Sequence, residues 1–337
     1  MAGGALPLTS AQTRSLRREL LRWYDAHRRE LPWRRDRDFY RVWVSEIMLQ
    51  QTRVAAVLEH YARFLRRFPT LESLAAAREA SVLAMWSGLG YYHRARRMHA
   101  AAKVIVRERH GEFPQTAEQW LALPGIGRYT AAAIASIAFD EPVAVVDGNV
   151  ERVLQRLTGN AGDAWEQAQA LLDRKRPGDF NQAMMELGAT ICTPRAPQCL
   201  LCPLISFCKT RGAHYTAVTA PRKNKELCYA LVRRGDAVLL VRRPADASLM
   251  AGMWELPPLA AEQINGHAPL LRLRHSITDS DYRVTVFAIA PDQRPEPAVA
   301  ARWFTVPQCE RLPLTGLTRK ILRRAALQAQ VGHSTPS

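Results

Sequence analysis

LPGIGRYT, at residues 123–130, is the stretch that decides the fold of the first half of this chain. It lies between two stretches with helical periodicity, so the sequence predicts a hairpin that joins two helices. Gly125 and Gly127 let the backbone approach a partner closely, and the N–H groups of the hairpin can face a phosphate. The next helix begins near Tyr129, and its positive N-terminal end favours an anion at the same place. An ordinary glycine-rich turn between helices is the alternative interpretation.

The regions before and after residue 213 differ in their patterns. From residue 11 to about 190, apolar residues recur every three or four positions, which indicates helices. Residues 215–226 (YTAVTAPRKNKE) are polar and basic and include a proline, as is typical of a linker. Beyond them the pattern predicts short strands and a closing helix at about Thr318–Gln328. The predicted strands are Cys228–Val232, Ala237–Val241, Leu270–Arg274, Tyr282–Ile289 and Arg302–Thr305.

The length of 337 residues allows about two domains. The sequence predicts a mainly α N-terminal part with two helical lobes, followed by a small α+β domain. The predicted bounds are residues 1–212 for the helical domain, 213–226 for a linker, 227–330 for the second domain and 331–337 for a disordered tail.

The chain is strongly basic, with 47 Lys and Arg residues against 31 Asp and Glu residues and a formal charge of +16. This balance favours a polyanionic partner such as nucleic acid, although solvated helix faces in an arginine-rich proteome are the alternative. No apolar run approaches the roughly 20 residues of a membrane span, and the first ten residues lack the pattern of a signal peptide. We therefore expect a cytoplasmic protein that does not bind membranes.

Four cysteines are packed into 17 residues with the spacing C-x6-C-x2-C-x5-C: Cys192, Cys199, Cys202 and Cys208. This spacing places four sulfurs in one compact loop and suits four ligands around a single cubane, so we interpret it as an iron–sulfur site. Structural zinc sites more often use two separated C-x2-C pairs, and zinc is the main alternative. Disulfides are the weaker alternative, because a reducing compartment is expected.

Two carboxylates lie in apolar surroundings. Glu46 lies on a predicted helix among Val44, Ile47 and Met48, where an apolar cleft would raise its pKa and keep it a usable acid. Asp147 in VVDGNV is consistent with a carboxylate at a helix start that lines a cleft. A solvated helix residue and a helix N-cap, respectively, are the alternatives.

These motifs, with LPW at 31–33, VSEIMLQQT at 44–52 and GLGYY at 88–92, closely resemble the MutY-type adenine DNA glycosylases of the helix–hairpin–helix family. The resemblance covers residues 14–212 strongly and 227–325 more loosely. It implies excision of adenine opposite 8-oxoguanine or guanine in double-stranded DNA, with a 4Fe-4S cluster on the four cysteines. It also implies a monomer, associated with the nucleoid if the organism is prokaryotic.

The resemblance assigns roles to individual residues. It implies that Glu46 protonates the adenine at N7, that Asp147 stays ionised and stabilises the positively charged sugar, and that Tyr129 orients both. Gln51 and Tyr91 occupy the wedge positions that fill the gap left by the flipped base. The DNA-binding positions implied overall are Arg34, Gln51, Thr52, Tyr91, Gly125, Gly127, Asn149 and Glu186, of which Arg34 and Glu186 belong to the adenine pocket.

One position separates two reaction types. Endonuclease III-type enzymes carry a lysine nucleophile just after the hairpin arginine, where this chain has Tyr129. No lysine occurs between Lys103 and Lys175, which argues against a Schiff base and for simple hydrolysis. The alternatives are an endonuclease III-like glycosylase and lyase, and a non-catalytic iron–sulfur protein that senses mispairs.

The second domain resembles the Nudix-like C-terminal domain of the same family through GMWELP at residues 252–257. A working Nudix hydrolase needs a glutamate-rich helix to hold magnesium. In this chain Glu262 is the only glutamate between Pro258 and Glu296. We therefore expect this domain to bind rather than hydrolyse. The family recognises 8-oxoguanine through a Phe-Ser-His loop that this chain lacks, and the candidates in its place are His275, Ser276 and Thr278.

Overall fold

The computed structural model describes residues 8–159, 162–211, 222–264, 266–277, 280–294 and 300–331. The chain forms two compact units. Unit 1 is Met1–Ala75 with Ala100–Val218, and unit 2 is Ala76–His99 with Thr219–Ser337. The division differs from the predicted one, because the segment 76–99 groups with the C-terminal residues. Residues 213–221 of the predicted linker, Thr278 and residues 332–337 of the predicted tail lie outside the described residues.

Helices form the chain as far as residue 190, which confirms the predicted helical N-terminal part. The apolar periodicity at 45–64 is interrupted at Gln50–Arg53, where one helix ends and the next begins. No helix among the described residues is long and apolar enough to cross a membrane. The helices are α1 (Ser10–His27), α2 (Phe39–Leu49), α3 (Val54–Arg67), α4 (Leu71–Ala75), α5 (Glu79–Trp86), α6 (His93–Glu108), α7 (Ala117–Leu121), α8 (Arg128–Phe139), α9 (Gly148–Thr158), α10 (Ala164–Leu171) and α11 (Pro177–Thr190).

One apolar core of unit 1 lies between α1, α9, α10 and α11. Fully buried side chains such as Leu20, Leu154 and Phe180 fill it, and the cysteine loop packs against its edge. The helix α2 lies in different surroundings and is buried at every position from Tyr40 to Met48 except Arg41. Because α2 is enclosed on nearly all sides, the polar side chains of Ser45 and Glu46 are withdrawn from water, whereas Arg41 is exposed.

Unit 2 is built on a mixed sheet with the strand order β3-β2-β1-β6-β5. β1 and β6 pair in parallel, while β4 pairs with β1 and β7 pairs with β2, both antiparallel. Apolar clusters cover both faces of the sheet. The strands are β1 (Lys223–Arg234), β2 (Ala237–Arg242), β3 (Trp254–Glu255), β4 (Pro258–Leu259), β5 (Pro269–Ile277), β6 (Ser280–Ile289) and β7 (Ala301–Thr305), followed by α12 (Val306–Arg311) and α13 (Gly316–Val331).

All five predicted strands and the closing helix are present, and β3 and β4 are additional. The structure differs from the prediction at the end of the linker, because Lys223–Glu226 form the start of β1. They pair with Ser280–Arg283 of β6, and this pairing extends the strand into a stretch whose composition favours a linker.

The segment 76–99 is fixed to the C-terminal part of unit 2 by polar contacts. Ser87 Oγ donates to the Leu314 carbonyl at 2.7 Å, and Arg319 Nε donates to Ser87 Oγ at 2.9 Å. Tyr92 Oη donates to the same Leu314 carbonyl at 3.3 Å. Ser87 and Tyr92 are buried, so these bonds are shielded from water. They hold in place the loop between α5 and α6, which contains Tyr91.

Candidate active site

Glu46 is a buried carboxyl with a tyrosine partner. Only 6% of its surface is exposed, and its Oε2 accepts a hydrogen bond from Tyr129 Oη at 3.1 Å. Burial raises the pKa of Glu46 to about 7, while the Tyr129 hydrogen bond and the charge of Arg34 oppose the rise and Asp147 adds to it. A carboxyl with this pKa is protonated to a substantial extent near neutral pH and can donate a proton.

Tyr129, in the first turn of α8, contacts both this carboxyl group and α11. Its hydroxyl also lies 3.4 Å from the sulfur of Met185. Burial raises the pKa of Tyr129 well above its usual value, and the charges of Glu46 and Asp147 raise it further. The phenol therefore stays neutral and can act as a hydrogen-bond donor.

Asp147 is held in a different way, as the N-cap of α9. Its Oδ1 accepts hydrogen bonds from the backbone N–H groups of Asn149 and Val150 at 2.9 and 2.8 Å. Its Oδ2 accepts from Asn149 Nδ2 at 2.9 Å. These three donors fix the orientation of the carboxyl group at the positive end of the helix. The helix-cap interpretation is therefore right, and the same charge also acts on Glu46 and Tyr129.

Arg152 fixes the partner of Asp147. Its Nη2 donates to Asn149 Oδ1 at 2.9 Å and to the Gly188 carbonyl at 2.8 Å, and its Nε donates to the Cys192 carbonyl at 2.9 Å. A Cβ at Gly188 would lie 2.6 Å from Asn149 Cβ, so α11 approaches α9 here as closely as a glycine allows. The Asn149 amide can therefore be oriented only with its nitrogen toward Asp147.

A second polar cluster surrounds Glu186 on α11, which is 1% exposed. Arg34 Nη2 lies 2.9 Å from Glu186 Oε2, and Arg29 Nε lies 2.6 Å from Oε1. Burial alone would raise the pKa of Glu186, but the hydrogen bonds and charges of the two arginines lower it below its usual value. Arg34 Nε also donates to Gln182 Oε1 at 3.2 Å and its Nη1 to the Arg29 carbonyl at 3.2 Å, so its guanidinium is held at three points.

The hairpin has the predicted form between α7 and α8. Gly125 has a φ of 76°, a left-handed conformation that favours glycine. Gly127 has an ordinary φ of −98°, and a Cβ there would meet nothing within 4 Å. Neither the backbone nor the packing of this chain requires glycine at Gly127. No side chain among the residues that the structure describes caps α8, so its first N–H groups can bind an external anion.

Gln51 lies between α2 and α3 in a left-handed conformation with a φ of 54°. Such a conformation costs a non-glycine residue of the order of 1–3 kcal/mol and is typical of functional sites. Its neighbours are fixed: Gln50 Nε2 donates to Thr130 Oγ1 at 2.8 Å, and Thr52 Oγ1 donates to the Gln50 carbonyl at 3.2 Å. The surrounding bonds therefore hold an exposed Gln51 side chain in a strained position.

The four cysteines lie in the loop that follows α11, and three of them pack against the apolar core between α1, α9, α10 and α11. Burial raises the pKa of Cys202 to about 11, and the other three cysteines contribute to the rise. The described residues contain no group of three or more His, Cys, Asp or Glu side chains placed to hold a metal ion.

Arg156 tests whether these residues suit an anionic cluster. It is 8% exposed, and its Nη1 lies 3.3 Å from Cys192 Sγ. Its other hydrogen bonds in the described part of the chain go to the backbone carbonyls of Cys192, Thr193 and Pro194. A buried cation requires a negative partner. Four thiolates on an iron–sulfur cluster carry such a charge, so the donor set fits this group.

The remaining candidates line a cavity of about 610 Å³ inside unit 2. Tyr91 from the 76–99 segment lies on one side, with His275 and Ser276 from the end of β5 on another. Tyr91 has a φ of 47°, so it is a second strained wedge candidate. Burial lowers the pKa of His275, and the charge of Lys320 lowers it further. The described part of the chain thus places Tyr91, His275 and Ser276 around one space.

Several residues of these sites carry no signal in the sequence. Arg29, Gln182 and Met185 join the sites only through the packing of α11 against α1 and α8. Arg152 lies in a helix among other charged residues, and nothing in its spacing marks it. For Asp281, which contacts Ser276, the pairing of β5 with β6 is the only indication.

The chain matches two family models. Residues 44–177 match the HhH-GPD superfamily base excision DNA repair protein, and residues 228–324 match the NUDIX domain.

Several relatives are similar over most of the chain. It is 36% identical to the adenine DNA glycosylase of Mus musculus, over 93% of this chain and 78% of that protein. It is 37% identical to the adenine DNA glycosylase of Homo sapiens, over 93% of this chain and 74% of that protein. The adenine DNA glycosylase of Mycolicibacterium smegmatis is 45% identical, over 61% and 72% of the two chains.

Solved structures resemble the helical part. A thermostable thymine-DNA glycosylase matches with a TM-score of 0.56 and 28% identity, over 60% of this chain and 97% of that one. A non-covalent endonuclease III–DNA complex matches with a TM-score of 0.53 over 61% and 98% of the two chains. At 23% identity, that second likeness concerns the fold alone.

Proposed function

This chain belongs to the adenine DNA glycosylases, and from that premise we propose that it removes adenine opposite 8-oxoguanine or guanine in double-stranded DNA. It is a base-excision repair enzyme that hydrolyses the N-glycosidic bond of adenine. The nature of the opposite base and the roles of the individual residues are the parts that we infer.

The observation that carries the proposal is the pair formed by Glu46 and Tyr129. The reaction needs an acid that remains protonated near neutral pH, and burial gives Glu46 a pKa of about 7. Tyr129, the hydroxyl partner of Glu46, occupies the position at which endonuclease III-type lyases carry their lysine nucleophile. A neutral phenol cannot form a Schiff base, so hydrolysis by water is the reaction that these residues support.

The proposed mechanism uses the two carboxyl groups in turn. As the C1′–N9 bond breaks, its electron pair leaves with adenine, and Glu46 donates a proton to N7 so that the base departs neutral. The positive charge left on the sugar is stabilised by the carboxylate of Asp147. Water then attacks C1′, and the ionised Glu46 accepts the proton that the water loses. Tyr129 holds Glu46 in place throughout.

The target base must leave the duplex before this chemistry, at a cost of a few kcal/mol. We propose that Gln51 and Tyr91 enter the gap, because both are non-glycine residues held in left-handed conformations by their surroundings. We assign the adenine pocket to Glu186 and Arg34, with Arg29 and Gln182 holding them in place. A fully buried carboxylate fixed by two arginines presents a preformed polar wall to the base.

The phosphate backbone meets the hairpin in this proposal. Gly127 and the uncapped N-terminus of α8 offer N–H groups to a phosphate without obstruction by a side chain. Gly125 supplies the turn, and Thr52 and Asn149 border the strand near the target base. We propose that unit 2 contacts the base opposite adenine through its cavity.

Cys192, Cys199, Cys202 and Cys208 would hold a 4Fe-4S cluster. When bound, the cluster supplies a negative charge beside Arg156 and fixes the loop in position; hydrolysis transfers no electron and requires no redox step. We further propose that the enzyme acts as a monomer in the cytoplasm, on the nucleoid in a prokaryote, where thiolates stay reduced.

Replacement of Glu46 by Gln separates an enzyme from a mispair sensor. Glu46→Gln keeps the shape and the Tyr129 contact but cannot donate the proton. We expect unchanged affinity for an A:8-oxoguanine duplex and a loss of single-turnover excision by at least about a hundredfold. Retention of excision in this variant would contradict the assignment, and a wild-type protein that binds without excision would favour the sensor.

A further inference from the structure

The hairpin between β5 and β6 contains a serine whose hydroxyl proton is used in a hydrogen bond to an aspartate. Ser276 and Asp281 face each other across the strands, and Ser276 Oγ donates to Asp281 Oδ1 at 2.6 Å. Arg222 Nε lies 2.9 Å from the same Oδ1 and pairs with the carboxylate. A carboxylate paired with a guanidinium only accepts hydrogen bonds. Asp281 is thus an acceptor that binds the one proton of Ser276.

This hydrogen bond determines whether the Ser276 hydroxyl donates to a ligand or accepts from it. A hydroxyl has one proton to donate and two lone pairs that accept. Ser276 is exposed, and while its proton is directed to Asp281 its oxygen accepts hydrogen bonds from a ligand in the cavity. Guanine and 8-oxoguanine differ in this respect at one atom. N7 of guanine is an acceptor, whereas N7 of 8-oxoguanine carries a hydrogen and donates.

The cavity beside Ser276 has the character of a binding site. Two of its lining residues, Tyr91 and Met250, have φ values of 47° and 52°. Left-handed conformations at non-glycine residues are costly and concentrate where ligands bind. Arg222 and His275 also line the space, so polar groups and strained aromatic and apolar groups converge on it.

We propose that Asp281 is the positioning residue that gives unit 2 its preference for 8-oxoguanine. By taking the proton of Ser276, it makes the hydroxyl oxygen accept a hydrogen bond from N7–H and oppose the lone pair of guanine N7. The inference rests on the proposed function, in which the cavity of unit 2 contacts the base opposite adenine.

Three opposite bases test this polarity. The full-length protein is bound to duplexes that hold a non-hydrolysable 2′-fluoroadenosine opposite 8-oxoguanine, 7-deazaguanine or guanine. These bases present a donor, neither group, and an acceptor at position 7. We expect the affinity of the wild type to fall in that order, because 7-deazaguanine lacks both the hydrogen bond and the repulsion.

Variants then test whether Asp281, and not another residue, causes the preference for 8-oxoguanine over guanine. In Asp281→Ala the hydroxyl is free to turn its proton to guanine N7, and we expect the preference for 8-oxoguanine over guanine to fall about tenfold. Asp281→Asn keeps an acceptor oxygen and should preserve the preference, while Ser276→Ala should lose it. Asp292→Ala, in an exposed turn of the same unit, is the matched control.

The outcomes are distinct. Wild-type preference retained in Asp281→Ala, or lost equally in Asp281→Ala and Asp281→Asn, would overturn the role of Asp281 while leaving the proposed function intact. Retained preference in Ser276→Ala would also overturn it. Equal affinity of the wild type for all three duplexes would overturn the proposed recognition by unit 2 together with this inference. Thermal unfolding of each variant confirms that the hairpin is folded.

Discussion

Glu46 and Asp147 are two carboxyl groups with different hydrogen-bond partners. Glu46 has one hydroxyl partner and is withdrawn from water, so its charged form is disfavoured. Asp147 instead accepts three N–H hydrogen bonds at a helix N-terminus. The loss of a base from a sugar requires an acid for the base and a carboxylate for the sugar.

The pKa of Glu46 predicts the pH dependence of excision. The active form is the protonated one, so the rate should be constant below neutral pH and fall as pH rises through about 7. Above this value we expect about a tenfold decrease per pH unit in single-turnover experiments with saturating enzyme. Binding of the duplex is measured at each pH as a control. A rate that stays constant to pH 9 would show that Glu46 is not the acid.

Among the structural elements, we propose that the hairpin and α8 form a backbone anion site, whereas the segment 76–99 is held by a distant part of the chain. The first feature follows from local sequence, because the glycines and the helix start are adjacent. The second depends on bonds between residues more than 200 positions apart, such as Ser87 with Leu314.

Gly127→Ala tests the hairpin. The backbone conformation suits alanine and the space is open, so the loss of stability should stay within about 1 kcal/mol. A methyl group would nevertheless obstruct a phosphate, and we expect about a tenfold weaker affinity for duplex DNA of any sequence. Filter binding and thermal unfolding together check this. Undiminished DNA affinity would mean that the hairpin does not contact the backbone.

Ser87→Ala tests how the 76–99 segment is held. It removes the donor to the Leu314 carbonyl and the acceptor for Arg319 Nε in a buried setting, which should cost about 1–3 kcal/mol. Because the loop with Tyr91 follows directly, affinity for the mispair should also fall. Ser81→Ala, in α5 just before this loop, is the comparison and should behave as the wild type in urea unfolding. Equal stability of the two variants would refute the contact.

For the whole molecule, the sequence predicts what is local and misses what packing creates. Helical periodicity, strand alternation and the motifs that contain Glu46, Asp147 and Tyr129 are all short-range signals, and the helical and α+β parts are confirmed. Arg29 and Arg152 become part of the sites only when α11 packs against its neighbours. The grouping of residues 76–99 with the C-terminal sheet is also invisible in the sequence. The left-handed Gln51 and Tyr91 could not be predicted, because propensity favours glycine at such positions.

The central claim is that this chain excises adenine by hydrolysis and does not cleave the strand. The most direct measurement is single-turnover reaction with an end-labelled duplex that holds A opposite 8-oxoguanine, analysed with and without alkali. The account predicts release of adenine, with strand breakage only after alkali. Strand breakage without alkali would contradict this claim. It would require an amine nucleophile, and Tyr129 occupies the position where endonuclease III-type lyases carry one.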